Sequence, residues 1–172
     1  MDDPFAAETL ALSIAQITEE RHLVVVCVGT DRSTGDSLGP LIGTTLLKHL
    51  PPNITVYGCL DEPVHALNLE HFVTRIRTKH PDSVVLAVDA CLGKSENVGY
   101  ISLKSGPLKP GTGVNKALPE IGDYHIIGIV NVGGMMEYFV LQNTRLSLVM
   151  RMSEVIANGL LMSVRDVSVN RA

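Results

Sequence analysis

The sequence predicts an α/β fold, a three-layer sandwich with a mainly parallel sheet, formed as a single domain over residues 1–172. Three observations predict this fold. Short continuous apolar runs are typical of strands that are covered on both faces. Segments with apolar residues at helical spacing lie between these runs, and such alternation is typical of a parallel sheet flanked by helices. With 172 residues, of which 45% are hydrophobic, the chain is long enough to bury one sizeable core.

The first third of the chain is expected to form two helices and two strands. Apolar side chains at mixed helical spacing predict an N-terminal helix over residues 5–20. Residues 23–28 form a continuous apolar run, which indicates a buried strand. A helix over 38–50 has Pro40 in its first turn and is stopped by a proline pair. Residues 54–59 alternate as a strand does.

The later part of the chain continues the alternation. A helix is expected over 67–79, and a His-Pro pair ends it. Residues 84–88 and 124–132 are two further buried apolar runs, and 99–103 are expected to form a short strand. Together with the first two strands, these segments complete a mainly parallel sheet.

A long final helix is expected over residues 144–163, with Thr144 as its cap and one apolar face. Residues 135–142 show no pattern that assigns them to an element. An exposed methionine-rich surface on the last helix would fit self-association as a homo-oligomer.

Charge and composition exclude several classes of function. The net charge is −4, and no basic stripe is present, so no nucleic-acid partner is expected. The N-terminus lacks the charged and apolar regions of a secretory signal. No apolar stretch approaches the roughly 20 residues that a membrane helix needs. We therefore expect a cytoplasmic protein that has no membrane partner.

The three cysteines, Cys27, Cys59 and Cys91, are widely spaced and form no CxxC pair. This spacing argues against a disulfide framework and against a structural zinc site. The spacing favours the interpretation that the three cysteines act as small buried hydrophobic residues. A nucleophilic role for Cys91, two residues after Asp89, is the alternative.

Acidic side chains collect after the predicted strands, at the edge where open α/β sheets bind their ligands. They are Asp31 and Asp36 after the first strand, Asp61 and Glu62 with His65 after the second, and Asp89 after the third. The second group has no clear metal-ligand spacing, and the first loop matches neither GxGxxG nor the lysine-containing phosphate loop. We therefore expect neither a metal nor a cofactor, and nucleotide binding is disfavoured.

Asp36 and Asp89 carry the sharpest chemical prediction. Asp89 lies among apolar residues, and loss of solvation raises the pKa of a carboxyl group. The alternative for Asp89 is an acid that bonds a neighbouring loop amide. Asp36 or Ser37 is expected to cap the following helix, which alone explains Asp36 and would keep its carboxylate ionised. If the two acids face each other, one would be charged and the other protonated near neutral pH. Such a pair can activate water and protonate a leaving group.

Four segments, "VGTDRSTGDSLGP", "LDEPVHALNL", "VDACLG" and "PGTGVNKALPEIGDY", resemble the sporulation protein YyaC family of endospore-forming bacteria. Those proteins are in turn similar to the spore germination protease and, more distantly, to the hydrogenase maturation proteases. The resemblance implies a phosphorylase/hydrolase-like fold of the germination protease and hydrogenase maturation protease type. It also implies that Asp36 and Asp89 are the catalytic pair.

The resemblance extends to the glycine-rich segment "PGTGVNK" at residues 110–116. This segment lies in a long Gly- and Pro-rich stretch that is either a lip over the site or a plain surface loop. As a lip, it would help to hold an extended peptide. The expected substrate-binding residues are Asp31, Asp61, Glu62, His65, Gly111, Gly113 and Asn115.

The chain departs from both protease families. It lacks the extra sequence of the full germination protease, so specificity for small acid-soluble spore proteins is not implied. Hydrogenase maturation enzymes bind nickel through carboxylates that match Asp36 and Asp89 and through a later histidine, whereas residues 94–115 contain no histidine. Thr30 and Asp31 stand where the hydrogenase-type enzymes have an asparagine.

The sequence therefore predicts a sporulation-associated endopeptidase that cleaves a protein or peptide, such as a spore protein, in the sporulating cell or spore. Asp36 would take a proton from water, and Asp89 would donate one to the amide. The alternative is a non-catalytic sporulation binding or scaffold protein that retains the protease fold, with its two acids too far apart to share a proton. A metal-binding maturation factor that uses Asp61 and His65 is a third hypothesis.

Overall fold

The computed structural model describes residues 3–19, 21–49, 51–110 and 118–169, with side chains given up to residue 164. Ten helices and strands follow one another in these residues, in the alternating order that the sequence predicts. They are α1 (Ala6–Thr18), β1 (Leu23–Cys27), α2 (Leu38–His49), β2 (Ile54–Tyr57), α3 (Leu69–Lys79), β3 (Val84–Gly93), β4 (Ile101–Ser105), β5 (Tyr124–Val132), α4 (Glu137–Gln142) and α5 (Leu146–Val169).

The five strands form one sheet in the order β2-β1-β3-β5-β4. β2, β1, β3 and β5 run parallel, and β4 is antiparallel to β5 at one edge. β1 has a partner on each side and is buried along its whole length. This position explains its uninterrupted apolar sequence, because a central strand is covered on both faces. The sheet confirms the predicted α/β class and the mainly parallel topology.

Two hydrophobic cores lie on opposite faces of the sheet, which gives the predicted three layers. Leu23, Val25 and Cys27 of β1 point into the larger core with α1, α2 and α5. The alternate residues Val24 and Val26 point into the smaller core, which α3 covers. A single strand thus feeds both cores because successive side chains of a strand point to opposite faces.

Helix α5 contains a segment with the length and composition of a membrane span, Leu146–Val164, at a mean hydropathy of 1.2. The expectation that no apolar stretch comes near this length is therefore wrong. Half of the segment is buried within the fold, and its residues Met152, Ile156 and Leu160 are fully buried in the larger core. Its apolar character is explained by packing against α1, α2 and the sheet.

Three local predictions differ from the structure. β3 does not end at Val88 but continues to Gly93, because β5 is long enough to pair with it beyond the end of β1. Thr144 does not cap α5: its hydroxyl donates backwards to the carbonyl oxygen of Val140, at 2.9 Å. The unassigned region before it forms the short helix α4, in which Tyr138 and Phe139 are exposed and no residue is fully buried, so no buried face marks it in the sequence.

Candidate functional site

Strand β3 extends past the end of its neighbour β1, and Asp89 is the first residue beyond that end. Cys27 pairs with Val88, and the N–H of Val28 donates to the carbonyl oxygen of Val88 at 2.8 Å. From Asp89 onwards, the described part of β3 pairs with β5 alone, and Asp89 lies opposite Ile127. Asp89 therefore lies inside a strand, and yet it is at the carboxyl-end edge of β1, where parallel sheets form their sites.

The carboxyl group of Asp89 is held mostly away from water. One of its oxygens, Oδ1, accepts a hydrogen bond from the N–H of Ala90 at 2.8 Å. Burial raises the pKa of Asp89 to about 8; the Ala90 N–H opposes this shift, and the negative charge of Asp36 adds to it. Both readings of Asp89 from the sequence thus hold in part, since it bonds an amide and is also desolvated. Desolvation dominates, so Asp89 is largely protonated near neutral pH.

Asp36 lies in a 3₁₀ turn, Gly35–Ser37, that runs directly into α2. Among the described hydrogen bonds, none joins the Asp36 side chain to an amide of α2, and the Ser37 hydroxyl donates back to the carbonyl oxygen of Thr34 at 2.7 Å. Burial raises the pKa of Asp36. The prediction that capping keeps Asp36 ionised is therefore wrong. The physical reason is that Asp36 is already part of a helical turn, so its side chain does not reach forward over the free N–H groups.

Two glycines allow the turn that carries Asp36 to lie against the end of β1. Gly29 has a φ of +145°, and a Cβ at this position would collide with the backbone carbonyl oxygen of Asp36. A Cβ at Gly39 would collide with the carbonyl oxygen of Val28. The N–H of Thr30 also donates to the backbone oxygen of Asp36 at 3.1 Å. Close backbone approach, which only glycine permits, therefore sets the position of Asp36.

The structure brings Asp36 and Asp89 together. The turn Gly35–Ser37 packs against β3, and the charge of Asp36 acts on Asp89. Both side chains are partly buried, and each keeps some access to solvent. Burial is the larger cause of the raised pKa of Asp89, and the charge of Asp36 adds to it. A protonated Asp89 and a second carboxyl group at Asp36 can thus supply an acid and a base at one place.

Ser33 also belongs to this site, although no sequence signal indicates it. It lies in the polar loop between β1 and the turn, and its side chain is buried. Its hydroxyl lowers the pKa of the Asp36 carboxyl group, against the larger effect of burial. By distance and angle, no described group is a hydrogen-bond partner of the Ser33 Oγ atom. A serine in a loop of small polar residues has no pattern that would reveal its burial.

The other acids that the sequence singled out do not join the pair. Asp31, Asp61 and Glu62 are exposed, and no hydrogen bond or ion pair described for these residues links them to Asp36 or Asp89. The backbone of Glu62 closes a tight turn with Cys59, whose N–H donates to the Glu62 carbonyl oxygen at 3.1 Å. Their expected role in substrate binding stays a prediction.

His65 lies nearer to the site, at the start of the turn that leads into α3. The preceding residue, Val64, forms a parallel bridge with Val28, and the N–H of Gly29 donates to the Val64 carbonyl oxygen at 2.8 Å. The ring of His65 is engaged locally, because its Nδ1 accepts from the N–H of Leu67 at 3.3 Å. His65 thus helps to order the connection to α3, and its predicted contact with substrate is untested.

The glycine-rich segment falls mostly outside the described residues, and this includes Gly111, Gly113 and Asn115. The chain on either side of it is held together by two backbone bonds between Leu108 and Ile121, at 2.8 and 3.1 Å. Both side chains are buried in the core on the α3 face of the sheet. Strand alternation places Asp89 on this same face, with Ala87. A lip formed by residues 110–116 remains a prediction.

The described side chains include no group of three or more His, Cys, Asp or Glu residues that is arranged to hold a metal ion. Asp36 and Asp89 alone provide two carboxylates, which is fewer ligands than a closed metal site uses. The hypothesis of a metal site formed with Asp61 and His65 finds no support in this donor set.

The cysteines behave as packing residues. Cys27 is fully buried, and burial raises the pKa of its thiol. Burial and the charge of Asp89 also raise the pKa of Cys91, and Lys104 only partly offsets them. A nucleophilic cysteine needs a lowered pKa. The alternative of Cys91 as a nucleophile is therefore not supported.

An exposed apolar surface lies beside the acid pair. It consists of Met135, Met136, Tyr138 and Phe139, which are 90%, 66%, 66% and 53% exposed and lie in and just before α4. Helix α4 packs on the turn that carries Asp36, and a Cβ at Gly35 would press on Leu141. The exposed methionines thus lie mainly before the last helix, where the sequence analysis had not placed them.

Three surface clefts lie elsewhere, between α1 and α5, between α1 and β4, and beside α3, and neither Asp36 nor Asp89 lines any of them.

Comparison with known proteins agrees with this fold. Residues 1–159 match the protein family described as "Protein of unknown function (DUF1256)". A Bacillus subtilis (strain 168) protein named "Uncharacterized protein YyaC" is 53% identical over 158 residues, which are 92% of this chain and 77% of that protein. A solved structure, the [NiFe] hydrogenase maturation protease HycI from Thermococcus kodakarensis KOD1, superposes with a TM-score of 0.62 at 17% identity. The match covers 89% of this chain and 99% of that one, and it shows that the two share a fold.

Proposed function

This chain belongs to the DUF1256 family, and from its pair of acids we propose that it is a peptidase in which Asp36 and Asp89 activate water. One observation carries the proposal. Two partly buried carboxyl groups come from the turn before α2 and from β3, and burial, with a smaller contribution from the charge of Asp36, raises the pKa of Asp89 to about 8. Paired carboxyl groups with separated pKa values are the arrangement by which enzymes combine a general base with a general acid.

The roles of the two acids follow from their surroundings. Burial raises the pKa of both, but the combined effect on Asp89 is large and leaves that group protonated near pH 7. Asp36 is therefore the acid that ionises first as the pH rises. Asp36 is the base that accepts a proton from water as the water oxygen attacks the peptide carbonyl carbon. Asp89 is the acid that donates its proton to the amide nitrogen as the C–N bond breaks, and transfer of the proton on Asp36 restores the pair.

The substrate in this proposal is a polypeptide. The exposed apolar surface beside the pair, from Met135 to Phe139, supports this, because adaptable Met-rich surfaces are used to bind varied peptides. Resemblance to the YyaC family supports sporulation as the setting, the cytoplasm of the sporulating cell or spore as the location, and a spore protein as the substrate. The same apolar surface would also serve a homo-oligomer.

The binding or scaffold alternative predicts acids that are too far apart to share a proton. The effect of the Asp36 charge on the pKa of Asp89 supports two carboxyl groups that lie near each other, and so favours the pair over that alternative. The fold of a hydrogenase maturation protease, which this chain shares, also favours hydrolysis over simple binding. These two observations are our reasons for preferring a peptidase.

A cleavage experiment tests the proposal. Extracts of spore proteins are incubated with the wild type and with the Asp36→Asn, Asp89→Asn and Asp61→Asn variants, and new N-termini are counted by mass spectrometry. We expect new termini with the wild type and with Asp61→Asn, and none with the other two variants. Equal cleavage by all four proteins, or no cleavage by the wild type, would contradict the proposal and favour a binding protein.

A further inference from the structure

Ser33 carries a buried hydroxyl group that has no hydrogen-bond partner. Its side chain is 6% exposed, and its Oγ is the one buried side-chain oxygen or nitrogen among the described residues that lacks a partner. Burying a hydroxyl without a partner is costly, and most native structures avoid it. An exception of this kind beside a pair of reactive acids calls for an explanation in terms of what the site does.

The neighbouring hydroxyl groups show that Ser33 is different. Thr30 Oγ1 accepts from the N–H of Arg32 at 3.3 Å, and Ser37 Oγ donates to the carbonyl oxygen of Thr34 at 2.7 Å. Both hydroxyls therefore stabilise the fold of the loop itself. Ser33 is as buried as Ser37, but it makes no such bond. Ser33 lies three residues before Asp36 in the same loop, and its hydroxyl lowers the pKa of the Asp36 carboxyl group.

We propose that Ser33 is a positioning residue for the base: its hydroxyl donates a hydrogen bond to the Asp36 carboxylate when that group is ionised, and so makes Asp36, and not Asp89, the charged member of the pair. This inference rests on the proposed function. A hydroxyl that donates to a carboxylate stabilises the charged form, and such charge-assisted bonds are stronger than neutral ones. Asp89 has a backbone donor of its own in Ala90, so each acid has one donor and Ser33 supplies the missing one.

Among the described groups around Asp36, no positively charged side chain takes the role that we propose for Ser33. Elements packed on its turn are β3, α2, α4 and α5, and among their groups Asp89 is the one that interacts with Asp36. The other titratable groups of these elements with described side chains, together with those in the loop of Ser33, are Asp31, Arg32, Lys48, His49, Cys91, Glu137, Tyr138, Arg151 and Glu154; all but the partly buried Cys91 are exposed.

The test uses the full chain and two independent readouts. The first is the pH titration of the side-chain carboxyl carbons by NMR, with Asp36 and Asp89 assigned from their Asn variants. We expect Ser33→Ala to move the titration midpoint of Asp36 to higher pH, because the charged form loses its donor, and Ser33→Thr to restore it. Ser33→Cys keeps the bulk but donates only weakly, so it should behave like Ser33→Ala.

The second readout is peptide cleavage. We expect Ser33→Ala to lower kcat about tenfold, as the loss of a hydrogen bond to a charged group does, and to shift the acidic limb of the pH profile upwards. Ser37→Ala is the matched control, since it removes a buried hydroxyl that bonds the loop, and it should leave the Asp36 titration unchanged. An unchanged Asp36 titration in Ser33→Ala would overturn the inference even if the chain cleaves peptides. A shifted titration without any cleavage would keep the link between Ser33 and Asp36 and reject the peptidase.

Discussion

Two acidic regions lie at the same edge of the sheet, and they differ in depth. The acids after β2, Asp61 and Glu62, are exposed on a tight turn. Asp36 and Asp89, which follow or overhang the central strand β1, are partly buried, and their pKa values are raised. Position after a strand is therefore not enough to make a reactive acid. Burial makes the difference, because only a desolvated carboxyl group remains protonated where a catalyst needs a proton donor.

The strongest test of this difference is to remove the carboxylates of each region in turn. Asp36→Asn and Asp89→Asn should each lower kcat/KM for peptide cleavage by about 10²–10⁴-fold, the usual contribution of a general acid or base. Asp61→Asn and Glu62→Gln should change kcat less than about twofold, since their exposed carboxylates can affect substrate binding and hence KM alone. A loss of activity in the exposed pair as large as in the buried pair would remove the distinction between the two regions.

The second test moves the turn that carries Asp36 without changing any acid. Gly29→Ala places a Cβ against the Asp36 backbone at a φ of +145°. Gly106→Ala is the matched control, because its φ is +95° and nothing lies within 4 Å of the new Cβ. Both variants pay about 1 kcal/mol for their backbone conformation. Gly29→Ala should lose about 1–3 kcal/mol more through overpacking, together with activity.

Denaturant unfolding and cleavage rates measure this second prediction. Equal loss of stability in the two glycine variants would show that the close approach of the turn to β1 does not matter. A Gly29→Ala protein that keeps full activity would separate the position of Asp36 from catalysis.

The third test follows stability against pH. The pKa of Asp89 is about 8 in the fold and 3.8 ordinarily, so the folded chain holds an extra proton between these values. The free energy of unfolding should therefore fall as the pH rises from about 3.8 to about 8, and Asp36 acts in the same direction. Asp89→Asn should flatten this dependence by an amount on the order of a few kcal/mol. Asp61→Asn should leave it unchanged, and an unaltered slope in Asp89→Asn would show that Asp89 ionises normally.

The smallest effect is expected at Cys91. Its thiol pKa is raised by burial and by the charge of Asp89, so alkylation by iodoacetamide near pH 8 should be slow. Asp89→Asn removes the charge and should speed the reaction about two- to fivefold, since ionised thiol is the reacting form. Asp61→Asn serves as the control. An identical rate in wild type and Asp89→Asn would mean that the charge of Asp89 does not affect the pKa of the Cys91 thiol.

The sequence predicts the fold well because the main strands of the parallel sheet carry apolar runs that are visible in the local sequence. The apolar runs at 23–28, 84–88 and 124–132 need no knowledge of their neighbours to be recognised. The extension of β3 to Gly93 depends on pairing with β5 past the end of β1, which is information from another part of the chain. Helix α4 could not be predicted because it lacks a buried apolar face: its side chains Tyr138 and Phe139 are exposed to water.

The candidate site is predictable only in part. The desolvation of Asp89 could be predicted from its apolar neighbours, because those neighbours are local in sequence, and burial does raise its pKa. Asp36 was identified, but the expected effect of capping on its charge was wrong, because a 3₁₀ turn replaces the free helix start. Ser33 was missed entirely, since its burial depends on how the loop folds against β3 and α4. Residue type alone does not tell an inward serine from an outward one.

The overhang of β3 has a consequence for how Asp89 is hydrated. The first half of the strand, Val84–Val88, pairs with β1 and from Leu86 onwards also with β5, while in the second half, Asp89–Gly93, β5 is its one partner among the described strands. Amide hydrogens in the first half should exchange with deuterium much more slowly than those in the second half. Asp89 lies at the boundary of the two halves, so a brief local opening of the strand can admit water to its carboxyl group while the rest of the sheet stays closed.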